Sequence, residues 1–166
     1  MQISKYSKFL LDIFRLDDYN RLKKFLQPQD IILEVGALDS PFTNYFPNKT
    51  IAVDIPPKGR FGFSQKALKE FKSRKNLTPV MASGEALPFK KEVFNKIICT
   101  EVIEHIYNDQ TAISEMSRVL KPNGKAFLTT PNQDELPVEQ GISEHFRHYT
   151  QKSLHNLCSN SFKKVM

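Results

Sequence analysis

Three features of this chain predict an α/β fold. Short apolar runs rich in β-branched residues alternate with amphipathic helical stretches, and turn residues mark the junctions. Such alternation gives a doubly wound, mostly parallel sheet with helices on both faces, because parallel strands need helical crossovers. Sheets of this kind bind ligands beyond the carboxyl ends of their strands, where the strand order reverses. The residues just after each strand are therefore the ones to read for chemistry.

Leu10, Leu11, Phe14 and Leu16, then Leu22, Phe25 and Leu26, recur at helical spacing. They make residues 1–28 an N-terminal helical segment, with helix over the first 27 residues and Pro28 ending it. Within it "LDDYNRLKKFL" sets acids before lysines, as the helix dipole favours. Residues 29–166 read as one compact domain. "DIILEVGA" is the first strand, closed by Gly36, and "KTIAVDI" the second, stopped by Pro56 and Pro57. A helix is expected over Ser64 to Ser73, with Ala67, Leu68 and Phe71 as its stripe. "LTPVMAS" is the third strand, its Pro79 pointing to an edge, and "FNKIICT" the fourth. "DQTAISEMSRVL" is an amphipathic helix with Ile113, Met116, Val119 and Leu120 inward; "KPNG" stops it and "GKAFLTT" is the fifth strand. "TQKSLHNLCSNS" is a last helix capped by Thr150, and "FKKVM" is a candidate start for a sixth strand.

The bulk properties narrow the class. A chain of 166 residues, 40% hydrophobic and 25% charged, suits one globular domain with a real core. Cys99 and Cys158 do not make a disulfide framework, and Cys99 reads as a small buried hydrophobe. A reducing, cytoplasmic setting is expected. No apolar run approaches the roughly 18 residues of a membrane span, and the N-terminus lacks the pattern of a signal peptide. The net charge of +6 allows a nucleic-acid partner, but the lysines are dispersed and no aromatic-interleaved RNA-binding pattern occurs. A solvated basic surface is the preferred reading.

The strand ends form an ordered series. Gly36 permits a tight turn and close approach of a ligand, and Asp39 or Ser40 can cap the next helix with Pro41 at its first position. Asp54 lies 20 positions beyond Glu34, where an acid commonly accepts hydrogen bonds from ribose hydroxyls. "SGEALPF" and "TEVIEH" follow the third and fourth strands. A pyrophosphate would need G-x-G-x-x-G, but Gly36, Leu38 and Pro41 keep only the first glycine. A nucleoside cofactor without phosphates fits better than a dinucleotide, which disfavours a nicotinamide oxidoreductase.

"ILEVGALDSPF", "IAVDI", "SGEALPF", "CTEVIEHI" and "SRVLKPNGKAFLTTPN" resemble the ordered motifs of class I S-adenosylmethionine-dependent methyltransferases. The likeness is to the broad type 11/23-like subgroup acting on small molecules, over roughly residues 30 to 152, and "EHFRHYT" resembles a segment that follows its fifth strand. It implies a Rossmann-like fold, S-adenosylmethionine as cofactor and a small-molecule methyl acceptor of unknown identity. By the resemblance, Glu34, Gly36 and Ala37 hold the methionine end of the cofactor. Asp54 meets the ribose and Ile55 packs beside the adenine. Ser83, Gly84 and Glu85 form the adenine-edge turn, and Thr100 and Glu101 close the pocket near the sulfonium. Leu38 and Ser40 replace later glycines of the first motif, and Ser83 stands where an aspartate is usual. The family's C-terminal antiparallel hairpin is truncated or missing in the 166 residues, which implies an open edge on strand five: either a partner chain, such as a second copy, covers it, or the sequence is a truncated form.

Glu101, Glu104 and His105 spell Glu-x-x-Glu-His, which has three readings. They start a helix and line the pocket; or His105 or a later histidine is a general base; or a divalent metal is held by Glu101, Glu104, His105 and one of His145 and His148. The third reading resembles methyltransferases of quinone-precursor catechols and of small-RNA 3′ ends. The preferred catalytic candidates are His105, Glu104 and His148, with no resident metal. Arg147 could bind an acceptor carboxylate or phosphate, and His155 is expected at the surface. Two alternative functions remain in view: a non-catalytic methyltransferase-like module that binds a partner, and a metal-assisted RNA methyltransferase.

Overall fold

The computed structural model describes residues 16–38, 45–58, 62–135 and 144–165. Helix α1 occupies residues 16–25. It is followed by β1 (Ile31–Val35), β2 (Lys49–Asp54), α2 (Gln65–Lys72), β3 (Leu77–Met81), β4 (Phe94–Thr100), α3 (Asp109–Val119), β5 (Leu120–Thr129) and α4 (Gln151–Ser159). The five strands form one sheet in the order β3-β2-β1-β4-β5, and every pairing is parallel. The chain winds outward from β1 to β3, then crosses back to β4 and β5. Strand order therefore reverses between β1 and β4, as the alternating pattern predicts.

Both faces of the sheet are covered, which is why β1 and β4 read as nearly continuous apolar runs. Leu33, Val35, Ile97 and Cys99 face α3 and pack with Ala112, Ile113, Met116 and Val119. On the other face Ile32 and Ile98 pack under Leu22 of α1, while Ala52 and Leu77 lie under Ala67 and Phe71 of α2. Burial pushes the Cys99 thiol far up, so this cysteine is the inert core residue expected. Pro79 sits in β3 at the sheet edge, where its missing N–H costs no ladder bond.

The caps explain the helix starts. Ser64 Oγ accepts from the Ala67 N–H at 3.1 Å, Asn108 Oδ1 from Thr111 at 3.2 Å, and Thr150 Oγ1 from Ser153 at 3.1 Å.

The structure corrects three sequence-based expectations and leaves most of a fourth outside the described residues. Only residues 16–25 of the N-terminal segment are described as helix; residues 1–15 lie outside the described residues, as do Asp39, Ser40 and Pro41. Leu16 is largely exposed, whereas Leu22 carries the buried stripe. "KPNG" does not stand as a separate turn: β5 begins at Leu120, and Asn123 with φ +64° lies where the β4–β5 register shifts. "FKKVM" starts no strand through Val165, because Phe162 and Val165 turn inward against the core.

Among the described residues no helix is long and apolar enough to cross a membrane.

Phe71 is fully buried and meets Phe63 edge-on at 5.7 Å between ring centroids. Phe71→Ala is expected to cost about 3–5 kcal/mol in urea denaturation. A loss under about 1 kcal/mol would show that α2 is not packed as described.

Candidate functional site

A cavity of about 620 Å³ opens at the carboxyl ends of β1 to β4, beside the reversal point. The turn after β1 forms its floor. Gly36 has φ +73°, and a Cβ there would come within 2.1 Å of Val102 Cγ2, so only glycine fits. Its N–H and that of Ala37 both donate to Val53 O. Leu38 also adopts a left-handed conformation, with φ +46°. The Asp54 carboxylate holds it there: Oδ2 accepts from Leu38 N at 2.7 Å, and Oδ1 from Ile55 N at 2.7 Å. A side chain thus keeps the backbone turn that the later glycine of the motif would adopt freely.

The turn after β3 forms a second wall. Ser83 Oγ accepts from Glu85 N at 3.1 Å, and Glu85 Oε1 accepts from Asn108 N at 2.7 Å. The "EALPF" segment behind it is clamped to α3. Leu87 N donates to Glu115 Oε2, and Arg118 donates to the carbonyls of Leu87 and Phe89. Arg118 also holds the Glu115 carboxyl below its usual range.

Beyond β4, Glu101 has φ +54° and opens the third wall, with Val102, His105, Ile106 and Tyr107. Ile103–His105 make a single 3-10 turn, and α3 begins only at Asp109, so Glu104 and His105 precede the helix rather than start it. The segment 144–149 is strapped across this wall. Phe146 N donates to Glu104 O at 2.8 Å, and Arg147 donates to Tyr107 O at 2.8 Å. Arg147 and the Tyr149 hydroxyl both meet Asp109 Oδ2 at 2.7 Å. Burial alone would raise the Asp109 pKa, but these hydrogen bonds overcome it and hold the carboxyl low. Arg147 is therefore a structural tie, which corrects its reading as an acceptor-binding arginine.

The strap assembles a histidine row. His105 and His145 meet edge-on at 4.4 Å between centroids, and His145 Nδ1 is hydrogen-bonded to His148 Nε2. His105 Nδ1 contacts Glu144 O at 3.2 Å. A carbonyl only accepts, so Nδ1 carries the proton and Nε2 is the basic nitrogen. Glu104 lies beneath, 1% exposed, with Oε2 accepting from the Thr130 hydroxyl at 2.9 Å. Its Oε1 is buried with no hydrogen-bond partner among the described residues. Burial pushes Glu104 up to about 7, the Glu101 charge adds to that, and its backbone N–H and Thr130 oppose it. Desolvation raises Glu101 and Asp18 of α1 as well; the Asp18 charge raises Glu101 further, and the Asp17 charge raises Asp18.

Of the expected cofactor residues, Gly36, Asp54, Ile55, Ser83, Gly84, Glu85 and Glu101 line the cavity. Glu34 and Ala37 are buried outside its wall, and Thr100 ends β4 behind it. Of the catalytic candidates His105 lines it; Glu104 and His148 stand one layer back. His155 is exposed on α4, as expected. Sequence reading missed Tyr107 on the wall and Asp18 beside Glu101, while Glu144 and Phe146 belong to the "EHFRHYT" segment it singled out. The exposed tyrosine gave no periodic signal, and only folding brings Asp18 to β4.

Residues 33–128 match the model of a family described as a methyltransferase domain. An uncharacterised protein of Methanocaldococcus jannaschii is 33% identical over 121 residues, covering 72% of this chain and 49% of that relative. The mitochondrial ubiquinone biosynthesis O-methyltransferase of Homo sapiens is 28% identical over 102 residues, covering 52% of this chain and 28% of that relative. The crystal structure of a SAM-dependent methyltransferase from Thermotoga maritima superposes with a TM-score of 0.69 at 19% identity, covering 89% of this chain and 70% of that one. The chain spans about half the length, or less, of the curated relatives it matches.

Glu104 gives the site a pH signature. The folded state favours its protonated form, so its contribution is full below the ordinary glutamate value of 4.5 and is gone above about 7. Relative to Glu104→Gln, the wild type in metal-free buffer is expected to lose roughly 3 kcal/mol across that window. Urea denaturation at several pH values measures it, and identical slopes would refute the buried acid.

Proposed function

We propose a methyl-transfer function from one premise: this chain belongs to the class I S-adenosylmethionine-dependent methyltransferases, through its methyltransferase domain. On that basis it binds S-adenosylmethionine and methylates a small-molecule acceptor. What carries this is the pairing of the Gly36 turn with the Asp54 carboxylate at the reversal point, on a cavity of about 620 Å³. Each Asp54 oxygen accepts a backbone N–H, and because a carboxylate oxygen can accept from more than one donor, the pair would also meet ribose hydroxyls. Ser83, Gly84 and Glu85 would meet the adenine edge, with Ile55 against its face. The turn at Gly36, with Glu101 opposite, would receive the methionine end; Glu34, Ala37 and Thr100 would support these walls from behind.

Bound S-adenosylmethionine supplies an activated methyl on a sulfonium. The chain supplies position and a base. His105 takes the acceptor's proton on Nε2, while Glu144 O fixes its tautomer. Glu104 and His148 act through it as positioning residues, His148 by way of His145.

One observation favours a second reading. Glu104, His105 and His145 offer ligand atoms within 4.8 Å of one another, and Glu104 Oε1 is buried without a hydrogen-bond partner among the described residues. One glutamate oxygen with two imidazoles suits a transition-series divalent ion such as Mn²⁺, Fe²⁺ or Zn²⁺ better than Mg²⁺, and such an ion would polarise an acceptor hydroxyl. Glu101 is not in this group.

S-adenosylhomocysteine should bind with a micromolar dissociation constant by calorimetry, and Asp54→Ala should weaken it about tenfold or more. Absence of both heat and thermal shift would overturn the proposal. For the second reading, Mn²⁺ should give a saturable heat that His145→Ala abolishes; a heat unchanged in that variant would exclude the site.

A further inference from the structure

The cavity has two halves. The β1–β3 side carries Gly36, Asp54 and the Ser83–Glu85 turn, and the β4 side carries Glu101, Tyr107 and Phe146. Tyr107 and Phe146 are 75% and 56% exposed, so they stand at the mouth. Their rings meet edge-on at 5.4 Å. Exposed aromatic side chains usually gain nothing from being fixed, yet both segments are pinned. Phe146 N donates to Glu104 O, and Arg147 joins Tyr107 O to Asp109. Leu38, 43% exposed, adds a third apolar group. Rigid aromatic faces open to water at a cavity mouth bind an apolar body at low entropic cost.

Charge narrows the class. The protein carries +6, yet among the described residues the acids lining the β4 side are Glu101 and Glu144, with no lysine or arginine in the lining there. Asp54, Glu85 and Lys58 stand on the cofactor side, and Arg147 beside the mouth is paired with Asp109. Asp18 stands close enough for its charge to act on Glu101. A basic protein has thus built an acidic mouth, which repels phosphates and carboxylates and attracts cations. Aromatic faces add to that attraction.

We propose that the Tyr107–Phe146 mouth receives the methyl acceptor, and that the acceptor is a small organic cation with an apolar ring, an arylalkylamine in chemical class. The proposal rests on the methyl-transfer reading and names the substrate class of that site. A nucleic-acid acceptor is the outcome it opposes.

Three probes with one 4-hydroxyphenyl ring test it: tyramine as cation, tyrosol as neutral molecule and 3-(4-hydroxyphenyl)propionate as anion. Each is titrated by ligand-observed NMR into protein saturated with S-adenosylhomocysteine, with EDTA to keep divalent ions from Glu104, His105 and His145. Tyramine should bind at least about tenfold tighter than the propionate, with tyrosol between. Phe146→Ala, or Tyr107→Ala as a second variant, should weaken all three by a similar factor. Glu101→Gln should shrink the cation–anion gap to about threefold or less without unfolding the chain. Equal or tighter propionate binding, or indifference to both aromatic variants, overturns the proposal. If S-adenosylhomocysteine binds and the preference is absent, this inference fails alone. If S-adenosylhomocysteine does not bind, the methyl-transfer reading fails and this falls with it.

Discussion

The carboxylate of Asp54 is the constraint on which the cavity depends. It ends β2, yet one oxygen reaches across to the N–H of Leu38 beyond β1, while the other takes the N–H of Ile55. Two parallel strands are thereby locked at their carboxyl ends, and the backbone between Gly36 and Leu38 is bent into left-handed geometry. A leucine resists that geometry by roughly 1–2 kcal/mol, and a hydrogen bond to a charged acceptor offsets about that much. The turn is therefore held by chemistry where a glycine would hold it by permissiveness. Since the same carboxylate faces the cavity, the group that shapes the turn is also the one best placed to read a ligand's hydroxyls.

A second tie fixes the opposite wall. Asp109 begins α3, where a negative charge is favoured, and gathers Arg147 and Tyr149 onto one oxygen. Without that anchor the 144–149 strap would be held to the 104–107 segment mainly by exposed or single hydrogen bonds, Phe146 N to Glu104 O, Arg147 to Tyr107 O and His105 Nδ1 to Glu144 O. The histidine row would then lose its spacing, because His145 and His148 belong to the strap and His105 does not. Helix α3 is thus an organiser as well as a core element. Its Glu115–Arg118 pair clamps the segment after β3, and its first residue clamps the strap.

Much of this was legible in the residues. Strand runs such as "ILEV" and "FNKIICT" must be buried on both faces, and parallel order follows once helices alternate with them. The cap at Thr150 was readable because a hydroxyl before a helix has one good partner, whereas Ser64, read as the first helical residue, proves to be the cap of α2. Asp54, Gly36 and the Ser83–Glu85 turn were readable because strand ends in a doubly wound sheet converge. The role of Arg147 was not readable, since a lone arginine near histidines looks like a ligand-binding group until its acidic partner is found 38 positions earlier, at Asp109. Nor was the pairing of Tyr107 with Phe146, which share no periodicity. The expectation that "FKKVM" extends failed because Phe162 and Val165 gain more from the core than from a ladder.

Glu104 joins the two chemical readings of the site and makes them exclusive. Its Oε1 is buried without a hydrogen-bond partner among the described residues, a costly state for an ionised oxygen. A proton on the carboxyl removes that cost, which is why its pKa rises to about 7. A divalent cation shared with His105 and His145 would remove it too, and would drive the proton off. With the proton, Glu104 is a neutral support and His105 is available as the base. With the cation, His105 is a ligand and the acceptor must lose its proton by other means. One buried oxygen therefore decides whether His105 serves the reaction as a base or as a ligand.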